Sequence, residues 1–157
     1  MNKFIIAVDV AKESGVVLFQ TTKEVDEKIV FSFMGGGFDK VSDFISDHLY
    51  KESMYVDECK LLFFENIHRN HKTTRKLGHY QGQLFGMLKD QGFKVEEELF
   101  NETMVFNHIF KKGTLKREDK KKMAIELAKK ELSKSVKVTE DVAEAYVLMK
   151  YYIELNK

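Results

Sequence analysis

Acidic residues close two apolar segments of the sequence, and their placement suits the binding of a metal ion. Asp9 ends the run KFIIAVD, and Glu65 directly follows the run KLLFF. A carboxylate at the end of a buried strand is costly unless a charge or a donor pairs with it. If both strands belong to one sheet, the like charges lie side by side and a cation is their natural partner. Each acid taken alone also fits the start of an exposed loop.

A third acidic segment, EDVAE at residues 140–144, has the composition of a helix start. Thr139 is a typical N-cap, and acids in the first turn complement the helix dipole. This accounts for Glu140 and Asp141, whereas Glu144 lies just past the first turn. Asp141 and Glu144 are three residues apart and therefore share one helix face. The predicted acidic centre consists of Asp9, Glu65, Asp141 and Glu144, with Glu140 as the alternative fourth ligand.

Four carboxylates at one site favour metal-dependent hydrolysis of a phosphodiester. Mg²⁺ prefers oxygen ligands, and two such ions about 3.5–4 Å apart activate a water and stabilise the leaving oxygen. This chemistry needs no nucleophilic side chain, and no Ser/His/Asp arrangement stands out in the sequence. The predicted cofactor is therefore Mg²⁺, with Mn²⁺ as a substitute.

Positive charge is concentrated in two segments, although the formal net charge is only +1. Residues 66–76 contain four Lys or Arg residues and no acid, and residues 110–122 contain seven basic residues and two acids. Phosphate backbones favour such clusters, although a solvated loop and a charged helix face have the same composition. His68 suits stacking on an unpaired base as well as an ordinary surface position. The predicted DNA contacts are His68, Arg69, Lys72, Arg75, Lys76, Lys111, Lys112, Lys116, Lys120 and Lys121.

The elements that position these residues follow from the spacing of apolar residues. Three apolar runs joined by short turns predict an antiparallel meander of strands over residues 3–10, 15–22 and 28–34. A run of three glycines, Gly35 to Gly37, is expected to break the third strand. Two more strands are predicted over residues 60–65 and 93–99. Helical spacing occurs at residues 38–50, 74–91, 116–132 and 140–155.

The order β-β-β-α-β-α-β-α-α predicts an α/β protein in which a mixed five-stranded sheet is flanked by helices. This is the order of the RNase H-like fold. The 157 residues fit one nuclease domain over residues 1–157, and a hydrophobic fraction of 43% supplies its core.

The sequence has a single cysteine, Cys59, which excludes an internal disulfide and predicts a small buried thiol. Asp9 interrupts the N-terminal apolar run, unlike in a signal peptide. No apolar stretch approaches the ~20 residues that span a bilayer. The predicted location is the cytoplasm, or the host cytoplasm for a phage-encoded protein, with no membrane association.

At these positions the sequence resembles the RuvC family of Holliday junction resolvases, above all its short phage-encoded members, over nearly the whole chain. The family's first-strand motif has a counterpart in IIAVDVAKESGVVLF, and its second catalytic strand has one in LLFFENIHRN. Its LG-x-x-x-G helix resembles LGHYQGQLFGML, and its last helix, which supplies two acids, resembles DVAEAYVLM. The sequence departs from the family in having Ala11 instead of Gly after Asp9, and Glu144 where Asp is typical.

The resemblance implies a structure-selective, Mg²⁺-dependent endodeoxyribonuclease. Its substrates would be Holliday junctions and other branched DNA, such as three-way junctions and flaps. His68 stands where the family commonly has an aromatic wedge, which implies relaxed specificity. A homodimer would cut two strands symmetrically. The metal ligands and catalytic residues implied by the family motifs are Asp9, Glu65, Asp141 and Glu144.

Glycine recurs at every fourth position in the 74–91 helix, at Gly78, Gly82 and Gly86. Because glycine is costly inside a helix, this spacing predicts close approach either to a partner helix in a dimer or to the core. Three other functions fit parts of the sequence. They are a nuclease for RNA–DNA hybrids, a non-catalytic nucleic-acid-binding module, which the acids disfavour, and an actin-like ATPase half-domain, for which the chain is short.

Overall fold

A computed structural model describes residues 3–21, 30–52, 58–65, 71–111, 116–132 and 138–156. The strands are β1 (Lys3–Asp9), β2 (Glu13–Thr21), β3 (Val30–Gly37), β4 (Glu58–Phe64) and β5 (Lys94–Phe100). The helices are α1 (Phe38–Glu52), α2 (His71–Asp90), α3 (Glu102–Phe110), α4 (Arg117–Glu131) and α5 (Glu140–Leu155). None of the helices in these ranges is long and apolar enough to cross a bilayer.

The strands form one mixed sheet in the order β3-β2-β1-β4-β5. β1, β2 and β3 pair antiparallel, as the predicted meander requires, whereas β4 runs parallel to β1 and β5 runs parallel to β4. β1 and β4 are therefore central strands, and this position explains why their apolar residues are continuous. The predicted mixed five-stranded sheet flanked by helices is confirmed.

Helices cover both faces of the sheet and give the protein two cores. On one face, α1 and α2 bury Ile45 and Leu84 against Phe4 and Ile6 of β1. On the other face, α5 packs on alternate residues of the same strand, with Ala7 among the buried side chains, and α3 and α4 pack against α5. Since successive residues of a strand point to opposite faces, Asp9 lies on the α5 side together with Ala7.

The prediction that three glycines break the third strand is wrong. Gly35, Gly36 and Gly37 are the last residues of β3, and they pair with Gly15, Ser14 and Glu13 of β2. Glycines are expected to end a strand because their backbone is flexible. Here the absence of a side chain at Gly35 instead leaves room for the start of α5. A Cβ at Gly35 would lie 2.5 Å from Oγ1 of Thr139, which precedes α5.

The predicted order of elements is incomplete because it omits α3. This helix has only nine residues and follows directly on β5, so its apolar residues merge with those of the strand. Asn101 marks its start, since the side chain of this N-cap residue accepts a hydrogen bond from the Met104 N–H at 3.1 Å.

The glycines of α2 do not pack against the core. A Cβ at Gly78, Gly82 or Gly86 would meet no atom of the described residues within 4 Å. Core packing, one of the two explanations predicted for this spacing, is therefore wrong for the part of the chain that the structure covers.

Candidate active site

The acids predicted at the strand ends lie at one edge of the sheet. Asp9 is the last residue of β1, and Glu65 directly follows β4, which runs parallel to β1. The Glu65 N–H donates to the carbonyl oxygen of Phe100 at 2.8 Å, so the pairing of β4 with β5 extends to this residue. The parallel arrangement thus directs the carboxyl ends of neighbouring strands to a common edge.

The start of α5 brings further acids to the same edge. Thr139 caps the helix, and its Oγ1 accepts a hydrogen bond from the Val142 N–H at 3.2 Å. Asp141 and Glu144 follow at helical spacing and approach Asp9. One carboxylate oxygen from each of these three residues lies within 4.8 Å of the other two, and all three residues are partly buried. We call Asp9, Asp141 and Glu144 the acid cluster.

The acid cluster lines a cavity of about 470 Å³. Glu65 is exposed and lines the same cavity without belonging to the cluster. Glu140 also lies on the cavity wall, where its Oε2 is 3.3 Å from Nζ of Lys121. Of the two alternatives for the fourth ligand, Glu144 rather than Glu140 is therefore the one beside Asp9.

Burial and charge repulsion disfavour ionisation of the acid cluster without a cation. Burial raises the pKa of Asp9 well above its usual value, and the hydrogen bond and negative charge of Glu144, followed by those of Asp141, raise it further. Burial also raises the pKa of Asp141 and of Glu144. Hydrogen bonds from Asp9 and the positive charge of Lys121 act in the opposite direction on both residues.

The acid cluster has the donor set that a hard divalent cation requires. Its ligand atoms are carboxylate oxygens, which Mg²⁺ and Mn²⁺ accept, and it contains no thiolate or imidazole donor. A bound cation would counteract the burial and the repulsion that raise the three pKa values, because metal binding and proton binding compete at the same oxygens. The residues present therefore fit the predicted metal.

The first turns of α4 add positive charge to the same cavity. Arg117, Lys120 and Lys121 line it together with the acid cluster. The sequence predicts Lys120 and Lys121 as phosphate contacts, but it does not predict their closeness to the acids. A phosphate entering the cavity would thus meet carboxylates and cations at once.

A polar cluster holds α4 against α5. The Tyr146 hydroxyl of α5 donates to Oε2 of Glu131 at 3.0 Å, and the Lys150 ammonium binds both carboxylate oxygens of Glu131. Burial and the nearby Glu131 carboxylate raise the pKa of Tyr146 above its usual value, so the hydroxyl stays protonated and keeps its donor role. This cluster holds the end of α4 against α5, and the start of α4 carries Arg117, Lys120 and Lys121, which we call the α4 cations.

The other predicted DNA contacts lie outside the cavity. Lys72, Arg75 and Lys76 are exposed on the N-terminal half of α2, where they border a shallow depression of about 440 Å³ with His79. Exposed positions at the end of α3 and the start of α4 are occupied by Lys111 and Lys116. Three further predicted contacts, His68, Arg69 and Lys112, lie outside the described residues.

Glu102 and Gln81 also line the cavity, and neither was predicted from the sequence. Glu102 begins α3 directly after β5, and its negative charge contributes to the raised pKa of Glu144. The rule that identified Asp9 and Glu65, an acid after an apolar run, does not find Glu102, because β5 has the sequence KVEEELF and is not apolar. Gln81 lies one helical turn beyond Leu77 of α2, which lines the same cavity, so its position depends on how α2 packs.

The fold is shared with junction-resolving enzymes of known structure. Thermus thermophilus RuvC in complex with a Holliday junction substrate is 10% identical in sequence, with a TM-score of 0.59 over 98% of this chain and 96% of that chain. The fowlpox virus resolvase, in complex with substrate Holliday junction DNA, is 13% identical, with a TM-score of 0.54 over 96% of this chain and 99% of that one. No family model and no curated protein matches the sequence. The likeness confirms the predicted fold class and the predicted structural resemblance to RuvC.

Proposed function

We propose that this protein is a structure-selective endodeoxyribonuclease that resolves Holliday junctions and other branched DNA by metal-dependent hydrolysis of phosphodiesters. The observation that carries the proposal is one cavity in which the acid cluster and the α4 cations lie together. Further support comes from the fold, which two resolvases solved with junction DNA share over almost the whole chain.

Asp9, Asp141 and Glu144 would hold Mg²⁺, or Mn²⁺ in its place, and Glu65 on the cavity wall would complete a second ion's ligands. Bound ions of this kind activate a water and stabilise the leaving oxygen in phosphodiester hydrolysis. The part of the protein is to hold the carboxylates in fixed positions. Thr139 does so by capping the helix that carries two of them.

The α4 cations would bind the phosphate that is cut. Arg117, Lys120 and Lys121 line the cavity of the acid cluster, so a phosphate drawn to them lies within reach of the carboxylates. Positive charge beside a metal site also limits the repulsion between carboxylates and a polyanion. Binding and cutting would therefore occur in the same cavity.

The exposed basic residues of α2 would position the arms of the branched DNA. Lys72, Arg75 and Lys76 form a charged surface with His79, away from the acid cluster. Phosphate contacts fix the orientation of DNA without reading its bases. With His68 at the position of the family's wedge, we expect cleavage of several branched structures with little dependence on local sequence.

A homodimer would allow two strands to be cut symmetrically, and the glycine face of α2 supports one. Gly78 and Gly82 are exposed, with open space where a Cβ would stand. Glycine costs about 1 kcal/mol relative to alanine in a helix interior, so a bare face needs a reason such as close approach of a second helix. Sedimentation at micromolar concentration tests this. A dimer is expected for the wild type and a monomer for Gly82→Glu, whereas an 18.4 kDa species for the wild type would contradict it.

Cleavage assays with and without Mg²⁺ test the central proposal. The substrates are four-way junctions, three-way junctions, flaps, linear duplex and an RNA–DNA hybrid. We expect Mg²⁺-dependent cuts in the branched DNA and none in linear duplex. Preferential cleavage of the hybrid would replace this proposal with a hybrid-directed nuclease. Binding without any cleavage would favour a non-catalytic nucleic-acid-binding module.

A further inference from the structure

Glycine occupies two adjacent positions in the row of the sheet that ends at the acid cluster. Asp9 of β1 pairs with Gly15 of β2, and Gly15 pairs with Gly35 of β3. Residues that pair across neighbouring strands direct their side chains to the same face. This row therefore presents one carboxylate and two bare backbone segments to α5.

The first turn of α5 occupies the space that side chains would take at these two positions. A Cβ on Gly15 would lie 2.2 Å from the carbonyl carbon of Asp141 and 2.2 Å from the nitrogen of Val142. A Cβ on Gly35 would lie 2.5 Å from Oγ1 of Thr139 and 2.9 Å from Cγ2 of Val142. At Gly15, where the nearest atoms belong to the backbone, distances this short exclude any side chain while α5 keeps its position.

The preceding row of the same face is built differently. Ala7, Val17 and Phe33 pair across the same three strands, and their side chains pack in the core under α5. β2 and β3 therefore have side chains beneath the body of the helix and none beneath its start. A glycine inside a strand weakens the strand and often marks the close approach of another backbone, as it does here.

We propose that Gly15 and Gly35 are positioning residues for the metal site. Because neither residue has a side chain, the start of α5 can lie close to the sheet and bring its acids to Asp9. This inference rests on the proposed function, because it concerns the same acid cluster. An ordinary contact needs at least 3.4 Å, so a methyl group at Gly15 would force the start of the helix outward by about 1 Å. Asp141 would move with it and would separate from Asp9.

The two glycines differ in what a methyl group would meet, and this difference makes the inference testable. At Gly15 the obstructing atoms are backbone atoms of α5, which move only with the helix. At Gly35 they belong to the side chains of Thr139 and Val142, which can partly rotate away. Gly15→Ala should therefore have the larger effect and Gly35→Ala the smaller one. Gly37→Ala is the matched control, since a Cβ there meets no atom of the described residues within 4 Å.

Binding of Mn²⁺ alone, measured by isothermal titration calorimetry, tests the inference without the cleavage reaction. Replacing a residue that orients metal ligands typically lowers metal affinity by about 10- to 100-fold. We expect the Kd to rise about a hundredfold for Gly15→Ala and about tenfold for Gly35→Ala, and to stay within twofold of the wild type for Gly37→Ala. If Gly15→Ala does not fold, Gly35→Ala decides the question.

A second substitution separates positioning from general damage to the fold. Asp141→Glu lengthens the side chain by one methylene and should partly restore Mn²⁺ binding in the Gly15→Ala background, or in the Gly35→Ala background if the first variant does not fold. In the wild-type background the same change should weaken binding. Folded glycine variants that bind Mn²⁺ like the wild type would overturn the inference while leaving the proposed function intact. Wild-type protein that binds no Mn²⁺ at Asp9 would overturn both.

Discussion

The acid cluster and the basic surface of α2 use charge in opposite ways. Asp9, Asp141 and Glu144 are partly buried and packed within 4.8 Å of one another, whereas Lys72 and Arg75 are exposed and lie along one helix. Charges that repel in a buried site need one particular partner, so their energetic effect is large and specific. Exposed charges on a helix are screened by salt and act nearly independently. The proposed chemistry therefore belongs to the first region, and the proposed general affinity for DNA belongs to the second.

The largest expected effect comes from removing one charge of the acid cluster. Asp141→Asn keeps the shape of the side chain but removes the negative charge of a proposed metal ligand. Since metal assistance supplies several kcal/mol, junction cleavage should fall by at least about a hundredfold. Junction binding in a gel-shift assay should stay within about threefold of the wild type, because the phosphate contacts are unchanged.

The control for this prediction is Asp47→Asn, which removes an exposed acid of α1 far along the chain from the cluster. It should leave both cleavage and binding unchanged. Near-wild-type cleavage by Asp141→Asn would show that Asp141 is not part of the active site. The acid cluster would then not differ from the basic surface of α2 in the way described.

A smaller effect is expected at Lys121, where the two kinds of charge meet. Lys121 lines the cavity, and its positive charge lowers the pKa of Asp141 and of Glu144. Lys121→Met removes this charge. A hydrogen bond to a charged group contributes about 1.5–3 kcal/mol, so the cleavage rate should fall about tenfold or more. Without the cation both pKa values rise, and protons compete with the metal up to higher pH.

The acidic limb of the pH–rate profile should therefore shift to higher pH in Lys121→Met. Lys122→Met, an exposed residue on the same helix outside the cavity, is the matched control and should leave the profile unchanged. An equal loss of rate in both variants would mean that Lys121 contributes only general positive charge.

The smallest effect is expected on the basic surface of α2. Arg75→Gln should weaken binding severalfold and by the same factor for four-way junctions, three-way junctions and flaps. The slope of log K against log salt should decrease by about one, as expected for a single phosphate contact. Lys51→Gln, an exposed residue at the end of α1, serves as a control with the same loss of charge. If Arg75→Gln lost binding to only one class of substrate, α2 would be recognising the shape of that branched DNA and not only its phosphate charge.

Local patterns predict most of the fold and the acid cluster because both depend on short-range signals. Asp9 follows a buried apolar run, and the three-residue spacing of Asp141 and Glu144 places them on one helix face. Parallel strands then bring their ends together, which is a general property of such sheets.

The remaining features depend on tertiary packing that local patterns do not contain. From the sequence alone, Gly35 is expected to end the strand. Its role becomes clear only from the close approach of α5 in the folded protein. The nine residues of α3 are too few for a clear helical period, and Glu102 was missed with them. Glu65 shares the cavity but lies outside the acid cluster, a difference in three-dimensional placement that its position at the end of an apolar run does not predict.

The raised pKa of Asp9 also predicts how the stability of the metal-free protein depends on pH. Folded protein binds this proton more tightly than unfolded protein, since burial and neighbouring acids raise the pKa only in the folded state. The resulting stabilisation is complete below the ordinary pKa of about 3.9 and is lost as the pH rises through the raised value. Above that value, the ionised cluster destabilises the metal-free fold, and a bound cation should reverse the effect.

Thermal unfolding at pH 8 of the wild type and of Asp9→Asn, each with and without Mg²⁺, tests the existence of this metal site most directly. Without metal, Asp9→Asn should have the higher Tm, because it lacks the repelling charge. Addition of Mg²⁺ should raise the Tm of the wild type, as expected for a ligand that binds the folded state, and should leave that of Asp9→Asn unchanged. A Tm that Mg²⁺ leaves unchanged in the wild type, or raises equally in both proteins, would contradict a metal site at Asp9.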